Sequence, residues 1–212
     1  MASGALETGN VNRALRQEFP GLALRYLVVE RGSGRSPRAV KERLKELAGR
    51  FSGAQAVNLR HQSIPHAYRV FYRHIGLDPD EQRTPIEELA LERMRAGGFK
   101  SRNLLDDALT LAIADTGVAL RAFDADRVEG ALGLRPSAVG EALEGRPGDL
   151  PEGTLVIADE ARPLALLFGA LATGRGVQPS TRRTLLCVVQ VKGVPDIAAE
   201  EALWLAAEVL QS

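Results

Sequence analysis

Side chains able to do chemistry are few in this chain and widely spaced. Asp106 and Asp107 are adjacent carboxylates, Cys187 is the single thiol, and His61, His66 and His74 are the three imidazoles. Two carboxylates share a water only when both point at it, and neighbours on a helix diverge by roughly 100°. A two-carboxylate mechanism is therefore not expected. Cys187 stands between Leu186 and Val188 with no histidine near it in sequence, the setting of an inert buried thiol. It also has no partner for a disulfide, which fits a reducing cytoplasm. The histidines and the cysteine fall in no ligand spacing, so neither a metal nor any other cofactor is expected. Gly174-Arg175-Gly176 is only faintly like a phosphate loop, because no Gly-Lys-Ser or Gly-Lys-Thr follows. Tyr68-Arg69 and Tyr72-Arg73 are aromatic–basic pairs that can stack on bases and meet phosphates. They serve equally well as parts of a core helix, with Ala67, Phe71 and Ile75 facing inward and the arginines tying down neighbouring loops.

The elements that must position these groups are legible from pattern. Leu104, Leu105, Ala108, Leu109, Ala112 and Ile113 recur at three- and four-residue steps, predicting an amphipathic helix with Asn103 as its cap, Asp106 supporting its start and Gly117 as its stop. Ala119 to Phe123 is then extended, Asp124 to Arg127 turns, and Gly130 to Leu134 is a strand. Upstream, Met1 to Thr8 is expected to fray, Val11 to Phe19 to form a short helix stopped by Pro20-Gly21, and Leu22 to Val29 to be a buried strand. Ser36-Pro37 reads as a helix start with serine as the cap, and Val40, Leu44, Leu47 and Phe51 form the apolar face of that helix. Its charges are most simply a solvated face.

A second helix covers Pro65 to Ile75. The capping-box spacing of Thr84-Pro85-Ile86-Glu87 opens a third, lined by Ile86, Leu89, Ala90 and Met94 and ended by Gly97-Gly98. Beyond Arg135 the glycines and prolines fall between short apolar runs, the texture of strands and tight turns. Strands are expected at Gly140 to Leu143, Thr154 to Ala158, Leu164 to Phe168 and Thr184 to Val191. The loop from Gly169 to Arg183 is long enough to suspect function. Asp196 caps a closing helix on which Ile197, Leu203, Trp204 and Val209 are spaced to dock against the sheet.

The bulk numbers bound the partners. With 212 residues, 45% hydrophobic and 25% charged, the chain can bury one sizeable core, and a single domain is expected. Lysine and arginine number 27, as do aspartate and glutamate, so no global basic footprint exists; DNA binding is not expected and any RNA contact must be local. No run of about 18 apolar residues is present, so no membrane association is expected. Nothing in the pattern specifies an oligomeric state.

Several ordered matches resemble one family. Asp107, Gly117, Ala122-Phe123-Asp124, Asp126-Arg127, Glu129-Gly130, Leu134-Arg135, Gly140-Glu141 and Thr154 to Asp159 are similar in order and spacing to the editing module of the bacterial phenylalanyl-tRNA synthetase beta subunit, the B3/4 domain. Ala67-Tyr68-Arg69, Phe71-Tyr72-Arg73, Gly76, Asp78-Pro79 and Arg83-Thr84-Pro85 look like the free-standing members, which lack an aminoacylation domain. The resemblance implies an α+β fold, with helices packed around a mostly antiparallel β-sheet sandwich. It also implies a tRNA acceptor end or an aminoacyl-tRNA as partner, and hydrolysis of misacylated tRNA as the activity.

The same resemblance marks the site. Where the synthetases carry a histidine before the alanine, this chain has Arg121; where they carry threonine then asparagine, it has Leu109 and Thr110; where a glycine and a glutamate follow Phe-Gly, it has Ala170 and Leu171 after Gly169. The implied substrate-binding set is Arg121, Thr110, Leu109, Asp107, Gly169 and Leu171, with no residue assigned as catalytic. A leucine cannot replace a polar handle for a phenolic hydroxyl. A guanidinium can hold a phosphate, a carboxylate or an ester carbonyl. Arg121 can alternatively pair with Asp124 or Asp107 and only brace the turn. The function classes left open are a trans-acting aminoacyl-tRNA hydrolase and a binding module that kept the fold and lost catalysis.

Overall fold

The structure, a computed structural model, describes residues 4–51 and 58–212. Two short strands, β1 (Glu7–Thr8) and β2 (Asn10–Val11), precede α1 (Arg13–Glu18) and β3 (Ala23–Val29). Four helices follow: α2 (Arg38–Arg50), α3 (Ser63–His74), α4 (Pro85–Ala96) and α5 (Leu104–Thr116). Then come β4 (Leu120–Asp124), β5 (Gly133–Pro136), β6 (Leu155–Ala158), β7 (Pro163–Leu166) and β8 (Thr184–Gln190), and α6 (Asp196–Gln211) closes the fold. The architecture is α+β, as the resemblance implies.

The first sheet has the order β1-β3-β8-β4 and is antiparallel throughout. The second has the order β2-β5-β6-β7, antiparallel except for the β2–β5 pair. Gly9 alone separates β1 from β2, where the chain passes from one sheet to the other. A Cβ there would lie 2.8 Å from the Leu132 carbonyl and from the Leu24 side chain, so the crossing needs glycine. Every residue of β8 is buried. Helix α6 packs along β3 and β8, α5 lies against α6, and α2 against α5. The apolar stripes of these helices are therefore the core, and residues such as Leu44, Leu111 and Leu203 are almost wholly removed from water. Each such side chain contributes about 1.5–3 kcal/mol relative to exposure.

The expected caps are present around the central helix. The Asn103 side chain accepts from the Asp106 N–H at 2.9 Å, and Gly117 ends α5 at φ 73°, a left-handed conformation that glycine takes without a steric penalty. Thr84 and Glu87 close a reciprocal capping box at the start of α4.

Other local expectations are corrected. Glu7 and Thr8 pair with Tyr26 and Arg25 instead of fraying, because the edge of β3 supplies hydrogen bonds; residues 1–3 of that expected fray lie outside the described residues. Ser36 does not cap α2, which starts after Pro37 without a side-chain cap; its hydroxyl donates instead to buried Asp107. The strand expected from Gly130 begins at Gly133, where β2 and β6 provide partners. Gly140 to Leu143 is not a strand, since Ala142 makes only one isolated bridge to Asp149. Met94, Ile197 and Trp204, read as core, are exposed at 45%, 71% and 39%. Periodicity alone does not show where a helix face runs out of neighbours.

Candidate functional site

Arg121 lies on β4, opposite Cys187 of β8. Its side chain leaves the first sheet and reaches the end of β7 in the second and the loop that follows it. There Nη1 donates to the Leu166 carbonyl at 3.1 Å and Nη2 to the Gly169 carbonyl at 2.8 Å. Burial is the largest influence on the guanidinium and lowers its pKa, while Cys187 and Tyr72 act in the opposite direction. A guanidinium still carries its charge at neutral pH.

Neither acid considered as its partner meets it. Asp124 accepts from the Thr181 hydroxyl at 2.6 Å and the Asp126 N–H at 3.1 Å. Asp107 accepts from Ser36 at 2.5 Å, Ser101 at 2.6 Å and the Arg102 N–H at 3.1 Å. Two of the five guanidinium N–H groups of Arg121 are thus used on backbone carbonyls, which leaves three for a ligand.

Arg121 lines an open cavity of about 440 Å³, within the range of about 300–1,000 Å³ typical of small-molecule sites. Arg121, Cys187 opposite it and Val189 two residues further along β8 share one face of the first sheet, and with Ala119, just before β4, they line the cavity. Leu120, Ile157, Leu167 and Phe168 add apolar wall. Tyr72 of α3 reaches in from another side. The Phe168 ring lies 4.6 Å from Tyr72 and 6.1 Å from both Tyr68 and Phe71, centroid to centroid. Because Arg121 grips the carbonyls of Leu166 and Gly169, it also fixes the segment that carries Phe168.

The mouth is polar. Glu81, Gln82, Arg83 and Glu88 line it, all exposed, and come from the segment between α3 and α4 and the first turn of α4. That segment is strapped down by Arg69, only 7% exposed, which meets Asp80 at 2.6 Å, Glu87 at 2.7 Å and the Pro79 carbonyl at 3.3 Å. Gln82 Nε2 donates to the Phe168 carbonyl at 2.9 Å, closing the strap onto the loop held by Arg121. Arg69 therefore has the loop-tying role that its helical position allows, and Tyr68 and Phe71 are core residues.

The six site residues of the sequence reading do not gather at one place. Arg121 and Gly169 meet directly. Asp107, Leu109 and Thr110 line a separate, smaller recess of about 180 Å³ with Leu89, Phe99 and Lys100 between α4 and α5. Leu171, 42% exposed, bridges Ala165 on the edge of the second sheet and does not line the larger cavity. Glu141 and Asp159 hold turns. The first takes a bidentate contact from Arg135 at 2.6 and 2.7 Å, the second the N–H groups of Glu129, Ala161 and Arg162.

Gln82, Glu88 and the inward role of Tyr72 were not legible as site features. The one available signal for Tyr72 was its position four residues after Tyr68, on the same side of α3. Cys187 lines the cavity but burial pushes its thiol up to about 12, so it is no nucleophile at neutral pH. Among the described residues no group of three or more His, Cys, Asp or Glu is arranged to hold a metal ion, and no helix is long and apolar enough to cross a membrane.

Comparison with known proteins places this arrangement in a family. The family model described as the B3/4 domain matches residues 67–201, which include the cavity, the strap and both sheets apart from β1, β2 and β3. The phenylalanine–tRNA ligase beta subunit of Xanthomonas euvesicatoria pv. vesicatoria (strain 85-10) is 38% identical over 116 residues, covering 52% of this chain and 14% of that protein. The corresponding subunit of Legionella pneumophila (strain Lens) is 31% identical over 134 residues, covering 61% of this chain and 16% of that protein. The chain thus matches a small part of the length of these relatives. The match runs through more than half of its own residues, and the chain belongs to the B3/4 domain family.

Proposed function

We propose that this chain binds the aminoacylated 3′ end of a tRNA in the Arg121 cavity and hydrolyses the ester of a misacylated amino acid. The observation that carries this reading is a half-buried guanidinium with N–H groups to spare in the wall of an open cavity of about 440 Å³ whose interior is largely apolar. That volume suits an aminoacyl group with its terminal ribose, so the rest of the RNA lies outside. Relatives that carry the module are tRNA ligase subunits, which supports tRNA as the partner class. Arg83 stands exposed at the rim, where its guanidinium can meet a phosphate.

Ester hydrolysis asks mainly for positioning. A water attacks the carbonyl carbon, the bond to the ribose oxygen breaks, and that oxygen leaves with a proton, giving free amino acid and free tRNA. Negative charge develops on the carbonyl oxygen, and a preorganised donor there is the largest single lever on the rate. Arg121 is that donor. The walls of Leu120, Ile157, Leu167 and Phe168 favour an apolar or aromatic side chain, and no acidic handle for a phenol stands among them.

One observation favours a second reading. Arg121 already braces two carbonyls, and no histidine or reactive thiol lines the cavity, so a binding module without hydrolysis also fits. Deacylation of a panel of misacylated tRNAs by the purified chain separates the two. Release above the spontaneous rate, falling about 10²-fold in Arg121→Lys, supports the hydrolase. Retained tRNA binding with no release from any member supports the module instead.

A further inference from the structure

Helix α3 buries two tyrosines one turn apart, and their hydroxyls are treated differently. Tyr68, 1% exposed, donates to the Val189 carbonyl at 2.8 Å and accepts from the Ala119 N–H at 3.2 Å. Tyr72 is equally buried, at 1%, yet its hydroxyl has no hydrogen-bond partner among the described residues. No fully enclosed side-chain oxygen or nitrogen of the described residues is left without a partner, so the Tyr72 oxygen stays open, and the opening it lines is the Arg121 cavity. Its ring is held against Phe168 at 4.6 Å, which leaves the side chain little freedom to turn elsewhere.

A phenol that makes no hydrogen bond to the protein and opens on a cavity keeps its O–H free to donate to a bound group. Tyr72 and Arg121 line the same cavity, one from α3 and the other from β4. Both offer N–H or O–H donors, and no carboxylate in the cavity interior answers them, since Glu81 and Glu88 stand at the exposed mouth.

We propose that the Tyr72 hydroxyl and the free N–H groups of Arg121 form a two-donor seat for one oxygen of the bound ligand. That oxygen is a carbonyl or carboxylate oxygen, attached to a group whose apolar part lies on Phe168 and Leu167. On the reading given above, which this inference deepens, it is the ester carbonyl, and the seat stabilises the charge it gains. A phenol supplies a hydrogen bond without a second positive charge, so the seat fits a single, partly negative oxygen better than a phosphate dianion.

The test uses adenosines that carry alanine, leucine or phenylalanine through a 3′-amide in place of the ester. These bind without reacting. Calorimetry on the full chain is expected to give weaker binding of at least one analogue to Tyr72→Phe by fivefold or more, with Tm unchanged or higher because only an unpaired oxygen is removed. Equal affinity in both proteins, or no binding of any analogue to the unmodified chain up to millimolar concentration, overturns the seat. Should Tyr72→Phe not fold, 3-fluorotyrosine at position 72 reports instead: its fluorine resonance shifts on saturation with the analogue, and an unmoved resonance overturns the proposal. Failure of the hydrolase reading looks different. A seat that binds the amide in a protein that releases nothing from any misacylated tRNA leaves the seat standing and removes the hydrolysis. Deacylation that Tyr72→Phe leaves unchanged does the reverse.

Discussion

Arg121 of β4 and Gly169, three residues beyond β7, are joined by a 2.8 Å hydrogen bond from the guanidinium to the glycine carbonyl, and this bond ties the first sheet to a loop of the second. Cavity wall and structural brace are therefore the same side chain. Arg121→Ala is expected to cost about 3 kcal/mol, from two carbonyls losing charged donors, whereas Arg121→Lys, which can keep one of them, costs less. Thermal unfolding of the two variants beside the parent checks this, and equal Tm values in all three would show that the brace carries no stability.

The strap is predicted to depend on Arg69. Its carboxylate partner Glu87, 13% exposed, also closes the capping box of α4, so removing the arginine leaves a part-buried charge and a loosened helix start. Arg69→Met should destabilise by about 3 kcal/mol, lowering Tm by roughly 6–12 °C, and should raise KM more than it lowers kcat for any substrate of the cavity, because Gln82 and Arg83 lose their anchoring. A variant with parental Tm and KM would remove the strap from the account.

Asp107 gathers Ser36, Ser101 and the Arg102 N–H around one buried carboxylate, joining the loop before α2 to the start of α5. Asp107→Ala should leave two hydroxyls and one N–H short of an acceptor and cost about 2–4 kcal/mol. Deacylation per folded molecule should be unchanged if the larger cavity is the site. A selective loss of kcat with normal Tm would shift the site to the recess that Asp107 lines.

Acid sensitivity should come in part from Glu141. The hydrogen bond from Arg135 holds its carboxyl below the ordinary value of 4.5. A group depressed in the folded state stabilises above its unfolded pKa and loses that contribution as pH falls through the folded one. The Arg135–Glu141 contribution is thus complete at neutral pH and fades below about pH 4.5. Glu141→Gln should be less stable at pH 7 and show a flatter fall of Tm between pH 5 and pH 3 (roughly the window for such a carboxylate) than the parent. Parallel curves would mean the pair contributes nothing.

Cys187 should resist alkylation at pH 8 while the protein is folded and react fully in denaturant, since burial pushes its thiol up to about 12. Rapid labelling of the native protein by iodoacetamide would mean that the thiol is reached and ionised from the cavity that it lines.

The central helix, its Asn103 cap and Gly117 stop, the capping box at Thr84, the buried strand β8 and the α+β class were all legible in the amino-acid order. Each rests on local causes: the spacing of apolar residues, a side chain able to cap its own helix, or a glycine that can turn left-handed. Family likeness was legible too, because it is carried by ordered short motifs. What the order could not state was which motifs meet. Leu109, Thr110 and Asp107 stand within one helical turn of each other and about ten residues before Arg121, yet α5 points them at α4 while β4 points Arg121 at the loop after β7. Trp204 and Ile197 fit the docking pattern of α6 but fall where that helix has run out of neighbours. Ser36 is a good cap by type, and only the long-range approach of Asp107 gives its hydroxyl another partner. The cavity itself is made by α3, the strap, two sheets and a loop, and its lining reaches from Tyr72 to Val189, so its shape and the unpaired Tyr72 hydroxyl exist only once the chain has closed on itself.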